Sequence, residues 1–107
     1  MKQLPDDLKL MASCMYHEYL NRKSHGCDRT ECRHLSHEFF SKSKELSYIY
    51  YDFDSIVDDL TKRKLIKGDI LGNVELLNDF LVMMESEFKG NLTAVLKAIK
   101  ELLALIG

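Results

Sequence analysis

The feature that most constrains the fold is an apolar pattern that repeats every seven residues through the middle of the chain. One series of this repeat is Phe39, Leu46, Phe53 and Leu60, and a second series is Leu35, Ile49 and Ile56. A seven-residue apolar repeat is typical of an α-helix that packs along one face. The pattern therefore predicts one long helix from about residue 29 to residue 64. We expect residues 24–28 to form the turn before it, with Gly26 in a left-handed conformation and Asp28 or Thr30 as the helix cap. Residues 64–73, which contain two glycines, should form the connection after it.

Three shorter helical segments flank this long helix. The first runs from Pro5 to about Lys23, with acidic residues in its first turn and basic residues in its last, as the helix dipole favours. The other two cover about residues 74–88 and 91–106, where Gly90 ends one helix and Asn91 caps the next. We expect residues 1–107 to form a single all-α domain, an antiparallel bundle of about four helices with one long second helix.

Surplus apolar surface in this bundle predicts a partner. The first helix carries a second apolar stripe, with Leu10 and Cys14, more than a quarter-turn from its main stripe, and the second helix is about twice as long as its neighbours. Such surface usually finds a partner, so we expect a protein partner and a homodimer. The sequence leaves open whether Tyr48, Tyr50 and Tyr51 line an interface or the core.

Composition favours a folded protein without a strong electrostatic field. Hydrophobic residues make up 46% and charged residues 30% of the chain, which is the balance of a globular domain. The formal net charge of −2 gives no overall attraction to nucleic acid or to an anionic membrane. The acidic run Asp52 to Asp59 is interpreted as a solvated helix face. The N-terminus lacks a signal-peptide pattern and no segment approaches ~18 apolar residues, so a cytoplasmic protein without a membrane span is expected.

All three cysteines and all four histidines lie between Cys14 and His37. In a cytoplasmic protein, clustered cysteines and histidines indicate metal or redox chemistry more often than a disulfide framework. The mixture of sulfur and nitrogen donors favours zinc as the cofactor. The candidate metal ligands are Cys14, His17, Cys27, Cys32, His34 and His37.

A hairpin of the first two helices would bring two ligand pairs together. Cys14 and His17 share one face of the first helix, and His34 and His37 share one face of the second. The members of the two pairs lie equally far from the turn, so the four side chains would face each other, as in other bundle metal sites. Two other sets remain open: the three cysteines with His34 or His37, and a set near the turn formed by His17, Cys27, Cys32 and His34.

Three classes of function fit these features. Four ligands leave no position for water, which indicates structural rather than catalytic zinc, so the first expectation is a non-catalytic module for protein interaction or regulation. The second is nucleic-acid binding through phosphate contacts at the basic end of the hairpin, which carries Arg22, Lys23, Arg29 and Arg33. The third is a thiol-based metal or redox sensor, in which oxidation of Cys27 and Cys32 releases zinc.

One short motif is similar to that of a class of ribonuclease. The segment from Arg29 to His34 has the order Arg-x4-His, which resembles the motif of HEPN-type ribonucleases, themselves helical bundles. The resemblance covers this segment alone. It implies RNA cleavage by Arg29 and His34 as a further version of the nucleic-acid hypothesis.

Overall fold

The computed structural model describes residues 1–106, and these residues are mostly helical. The α-helices are α1 (Asp6–Ser24), α2 (Arg29–Cys32), α3 (His37–Lys42), α4 (Phe53–Lys62), α5 (Asn78–Phe88) and α6 (Leu92–Ile106), and a 3₁₀ helix spans Glu45–Asp52. Three short strands, β1 (His34–Leu35), β2 (Ile66–Gly68) and β3 (Val74–Leu76), form an antiparallel sheet in the order β1-β3-β2. The helical character is confirmed, but the all-α four-helix bundle is not, because these residues include a sheet and six α-helices.

Helix α1 is the centre of the fold and lies close to its predicted limits. Asp6 and Asp7 occupy its first turn and Arg22 and Lys23 its last, where each sign of charge interacts favourably with the helix dipole. Its buried residues include members of both apolar stripes: Leu8, Leu10, Met11, Ala12, Ser13, Cys14, Met15, Tyr16 and Leu20. Neighbouring elements of the same chain, above all α6, therefore cover the surface that was expected to need a partner.

The predicted long helix over residues 29–64 is wrong. The chain there forms α2, β1, α3, the 3₁₀ helix and α4 in succession. Ser36 and Ser43 have extended backbone between these elements, and the Ser43 hydroxyl accepts a hydrogen bond from the Leu46 amide (3.3 Å). Serine side chains that bond to nearby backbone compete with a continuous helix. The apolar spacing persists because Leu46 and Leu60 are both buried, although they belong to different elements.

The third predicted helix, expected from residue 74, begins only at Asn78. The residues before it form strand β3, in which Val74 and Leu76 are buried and Glu75 between them is half-buried. This alternation is the pattern of a strand with one face on the core. The predicted connection before it is therefore largely a β-hairpin, with β3 as the central strand of the sheet.

Short-range turn and cap predictions are confirmed. The Asp28 carboxylate accepts a hydrogen bond from the Glu31 amide (2.8 Å) at the start of α2. The Asn91 side chain accepts one from the Ala94 amide (3.2 Å) at the start of α6. Gly26, which follows α1, has the left-handed backbone expected of it, with φ +85°. Each of these signals acts over a few neighbouring residues, so the sequence alone is enough to predict it.

The core lies between α1 and the elements around it. Its largest fully buried side chains are Tyr16, Phe40, Phe80, Leu10, Met11, Met15, Leu35, Leu46, Ile56, Leu60, Ile66 and Leu76. The side chains of Tyr48, Tyr50 and Tyr51, whose position the sequence left open, are exposed. Within residues 1–106, no helix has both the length and the apolar character that crossing a membrane requires.

Candidate functional site

Cys14 is a core residue of α1. Only 6% of its surface is exposed, and burial, together with the charge of Glu45, raises the pKa of its thiol to about 12. A thiol that stays protonated at neutral pH is a weak nucleophile, and metal binding requires its thiolate. Cys14 therefore acts as a small apolar side chain of the core.

Cys27 and Cys32 lie together around helix α2. The Cys32 thiol donates a hydrogen bond to the Cys27 carbonyl (3.2 Å), and the Cys27 thiol donates to the Glu31 carboxylate (3.8 Å). Partial burial, the Cys32 thiol and the nearby charges of Glu31 and Asp28 raise the pKa of Cys27 to about 11. The structure thus brings these two candidate ligands together but keeps the Cys27 thiol protonated at neutral pH, which disfavours rapid oxidation.

The three candidate histidines lie on different elements. His17 is half-buried on α1, His34 is exposed on β1 opposite Glu75, and His37 begins α3. The His37 ring packs against Gly72 of the β2–β3 hairpin. The chain after Cys32 therefore carries the last two histidines towards the sheet rather than back along α1.

The predicted facing of the Cys14–His17 and His34–His37 pairs depended on a continuous second helix, which this fold does not contain. Over residues 1–106, no three His, Cys, Asp or Glu side chains are grouped so that they could hold a metal ion. Zinc binding itself stays a prediction.

Two of the four predicted phosphate-binding cations make hydrogen bonds within the chain. The Arg22 guanidinium binds the Glu18 carboxylate (2.9 Å) and donates to the His34 carbonyl (2.6 Å). Arg33 donates from Nη1 to the Asn78 side chain (2.6 Å). These bonds connect α1 to β1 and the α2–β1 corner to α5, so both arginines contribute to the fold.

The other two cations, Lys23 and Arg29, are exposed and line a concavity of about 620 Å³ between α1, α2 and α5. We call it the α1–α5 cleft. The Lys23 ammonium lies over the Tyr19 ring, 5.9 Å from its centroid. Apolar surface in the cleft comes from Tyr19, Leu81 and Val82. Sequence reasoning missed the cleft because only the tertiary structure brings α5 beside these cations.

The two residues of the HEPN-like motif do not share a concavity. Arg29 lines the α1–α5 cleft, whereas His34 lines a small depression on the sheet with Lys67 and Asp69. The hydrogen-bonded β1–β3 pairing holds His34 at the sheet. The ribonuclease version of the nucleic-acid hypothesis therefore gains no support from this arrangement.

A second surface is formed by the β2–β3 hairpin and the chain around the start of α4. Ile70 and Leu71 lie at the hairpin tip and are 101% and 73% exposed. Tyr50 and Tyr51, also exposed, line a concavity together with Asp54 and the hairpin tip. We call these five residues the hairpin surface. A cluster of large exposed apolar side chains with a polar edge is typical of an interaction site.

Asp69 fixes the shape of the hairpin turn. Its carboxylate accepts hydrogen bonds from the amides of Leu71 (2.8 Å) and Asn73 (3.0 Å) and from the Asn73 side chain (3.1 Å). The Asn73 side chain in turn accepts a hydrogen bond from the His37 amide (3.0 Å) at the start of α3. The hydrogen bonds of Asp69 and Asn73 therefore hold the turn in a conformation that leaves the apolar tip exposed to solvent. The signal that sequence reasoning missed was an apolar pair within a turn of aspartate, glycine and asparagine.

Comparison with known proteins identifies no family for this chain. No family model matches it, and no curated protein or solved structure matches it. Its function is therefore argued from the two surfaces themselves, the α1–α5 cleft and the hairpin surface.

Proposed function

We propose that this protein is a non-catalytic interaction module that binds another protein through its hairpin surface. The observation that carries the proposal is the exposed apolar tip, Ile70 and Leu71, held in place by the hydrogen bonds of Asp69. Fully burying one such side chain is favourable by about 1.5–3 kcal/mol, from which the entropy cost of association is subtracted. A regulatory or scaffolding role follows from binding alone and needs no catalytic group.

The connectivity of the chain supports a binding module. Apart from the short α2 and the 3₁₀ helix, the order from α1 is helix, strand, helix, helix, strand, strand, with β3 between β1 and β2. This order resembles that of winged helix-turn-helix domains. In helix-turn-helix domains the second helix of the motif, which corresponds to α4 here, contacts DNA in the major groove. The hairpin surface lies at the start of that helix and on the adjoining hairpin. The order of the elements indicates the kind of domain, whereas the exposed side chains determine which partner it binds.

The charges of α4 favour a protein over DNA as that partner. Asp54 and Asp58 are exposed on the helix. The cations at its end are paired with its own carboxylates, Lys62 with Asp58 (3.0 Å) and Arg63 with Asp59 (2.7 Å). Such a helix neutralises few phosphates and gains little from counterion release. A protein segment with both basic and apolar side chains complements the hairpin surface better.

Partner capture from an extract of cells that contain the protein tests this proposal. The variant combines Ile70→Ser with Leu71→Ser, and the matched control is Leu105→Ser, which removes an apolar side chain that is 71% exposed on α6. We expect the wild type and the Leu105 control to retain the same partner and the tip variant to lose it. Retention by the tip variant, or equal loss in both variants, would contradict the proposal.

A second copy of the chain is one protein that could bind the hairpin surface. Sedimentation of the purified wild type and the tip variant distinguishes this case from a different partner. A wild-type dimer that the tip variant lacks would identify the predicted homodimer with this surface. A wild-type monomer would assign the surface to another protein.

Nucleic-acid binding is the second candidate function, and the helix-turn-helix connectivity is the observation that favours it. Lys64 and Lys67, at the end of α4 and on β2, are exposed cations close to the hairpin. Titration with a labelled random-sequence DNA duplex tests this function. We expect no saturable binding at low salt. Binding that weakens steeply with salt and is lost when both lysines become glutamine would make DNA the partner.

A further inference from the structure

The α1–α5 cleft has the dimensions of a small-molecule site and lies apart from the hairpin surface. Its volume of about 620 Å³ falls within the range of ligand pockets in proteins. None of its lining residues belongs to the hairpin surface. What the cleft binds is therefore independent of the proposed function.

One part of the cleft is apolar. The rings of Tyr16 and Tyr19 stack with their centroids 6.0 Å apart, and Leu81 and Val82 of α5 also line the cleft. Val82 is 69% exposed, so much of its apolar surface is available to a ligand. The Tyr16 hydroxyl donates a hydrogen bond to the Glu85 carboxylate (2.6 Å), which provides a partner for the acidic group of the cleft.

The charged groups that line the cleft are mainly cations. Lys23, Arg29 and Arg33 line it, against one carboxylate, that of Glu85. Arg33 donates from Nη1 to Asn78, but its Nε is buried and has no hydrogen-bond partner within residues 1–106. A buried donor without an acceptor costs free energy, but this atom is closed to solvent and is therefore not a ligand contact. The charge imbalance among the lining side chains is what favours an anionic ligand.

We propose that the α1–α5 cleft binds a small organic anion with an apolar body. The anionic group lies at Lys23 and Arg29, and the apolar body lies on Tyr19, Leu81 and Val82. Ammonium and guanidinium groups form charge-assisted hydrogen bonds with carboxylate, sulfonate or phosphate oxygens. Apolar contact adds about 25 cal/mol for each Å² that it removes from water. A neutral molecule of the same shape would lack the charge-assisted hydrogen bonds, and an inorganic anion would lack the apolar contact.

Fluorescence titration with anilinonaphthalene sulfonate, an aromatic anion that brightens in apolar surroundings, tests the proposal. We expect saturable binding of one probe per chain. Lys23→Gln and Arg29→Gln should each weaken binding about fivefold, because each removes a charged contact worth about 1 kcal/mol. Val82→Asp should weaken it at least as much, because it places a negative charge on the apolar wall. The neutral analogue N-phenylnaphthylamine should be insensitive to the two glutamine substitutions.

Two control variants locate the probe. Lys97→Gln removes an exposed charge on α6, and Ile70→Ser removes apolar surface at the hairpin tip. Both should bind the probe as the wild type does, and all variants should retain the wild-type circular dichroism spectrum. Loss of binding in Ile70→Ser would place the probe at the hairpin and overturn the proposal. Equal weakening by Lys97→Gln, or binding that does not saturate, would also overturn it.

Discussion

The Tyr16 hydroxyl and the Glu85 carboxylate form a hydrogen bond between the central helix and α5 (2.6 Å). Burial and the adjacent carboxylate both raise the pKa of Tyr16, so the hydroxyl stays protonated and donates. Hydrogen bonds to charged groups contribute about 1.5–3 kcal/mol to stability. We expect Tyr16→Phe to lower the free energy of unfolding by about 1–2 kcal/mol, measured by urea denaturation.

Tyr19→Phe is the matched control for this prediction. The Tyr19 ring stacks on the Tyr16 ring, but its hydroxyl makes no hydrogen bond within residues 1–106, so its removal should change stability by less than about 0.5 kcal/mol. Equal effects of the two substitutions would mean that the hydrogen bond to Glu85 makes no net contribution.

Two glycines with nearly the same backbone differ in what surrounds them. Gly26 has φ +85° and Gly72 has φ +86°, so alanine at either position costs about 1–2 kcal/mol of left-handed strain. A Cβ atom at Gly26 would meet nothing within 4 Å, whereas one at Gly72 would lie 2.8 Å from His37 Nδ1. We expect Gly72→Ala to destabilise the protein more than Gly26→Ala in thermal unfolding. Adding His37→Ala should relieve only the Gly72 variant, and an unchanged difference would show that this contact is not responsible.

At the scale of elements, the sequence was sufficient to predict those helix limits, caps and turns that depend on interactions between near neighbours in the chain. The limits of α1, the Asp28 and Asn91 caps and the Gly26 turn depend on charges and side chains within a few residues. The prediction of one helix over residues 29–64 was wrong because apolar residues spaced seven apart can be buried in the same core whether they lie on one helix or on several short elements. Periodicity reports which residues are buried, and it does not report whether the backbone between them is continuous.

The hairpin turn depends on the ionised form of Asp69. Hydrogen bonds from Asn73 and Leu71 hold the pKa of this carboxyl below its usual value of 3.8. A lowered pKa in the folded state means that the turn's contribution is complete above pH 3.8 and is lost as the pH falls through the lower value. We expect the amide NMR shifts of Leu71 and Asn73 to change together at low pH, with a midpoint below the usual value of 3.8.

Asp69→Asn removes the charge while keeping the size of the side chain, and serves as the control for the hairpin titration. In this variant the Leu71 and Asn73 amide shifts should show no transition at low pH. A transition that persists in the variant would assign the titration to another carboxyl group.

At the scale of the whole molecule, the cysteines and histidines that are close together in the sequence are separated in the fold. All cysteines and histidines lie within one short stretch, yet the fold places Cys14 in the core, Cys27 and Cys32 around α2, and His37 against the hairpin. Strand β1 is responsible, because it turns the chain away from α1 to pair with β3. That pairing joins residues about 40 positions apart, and such long-range partners leave little trace in a single short segment.

Cys27 and Cys32 are the two predicted zinc ligands that the fold brings together. Thiolates, neutral imidazoles and carboxylates are the groups that bind zinc. Cys14 and Cys32 are both buried, and the pKa of the Cys27 thiol is raised like that of Cys14. What distinguishes Cys27 and Cys32 is that the fold brings them into hydrogen-bond contact with each other. We therefore expect Cys27→Ser and Cys32→Ser to remove any zinc that purifies with the untagged protein, and Cys14→Ser and His37→Ala to retain it. Elemental analysis of the four variants beside the wild type makes the measurement. Loss of zinc in the Cys14 and His37 variants alone would restore the facing ligand pairs and would require a different path for residues 29–64. A wild-type protein without zinc would leave Cys27 and Cys32 as part of the cleft wall and nothing more.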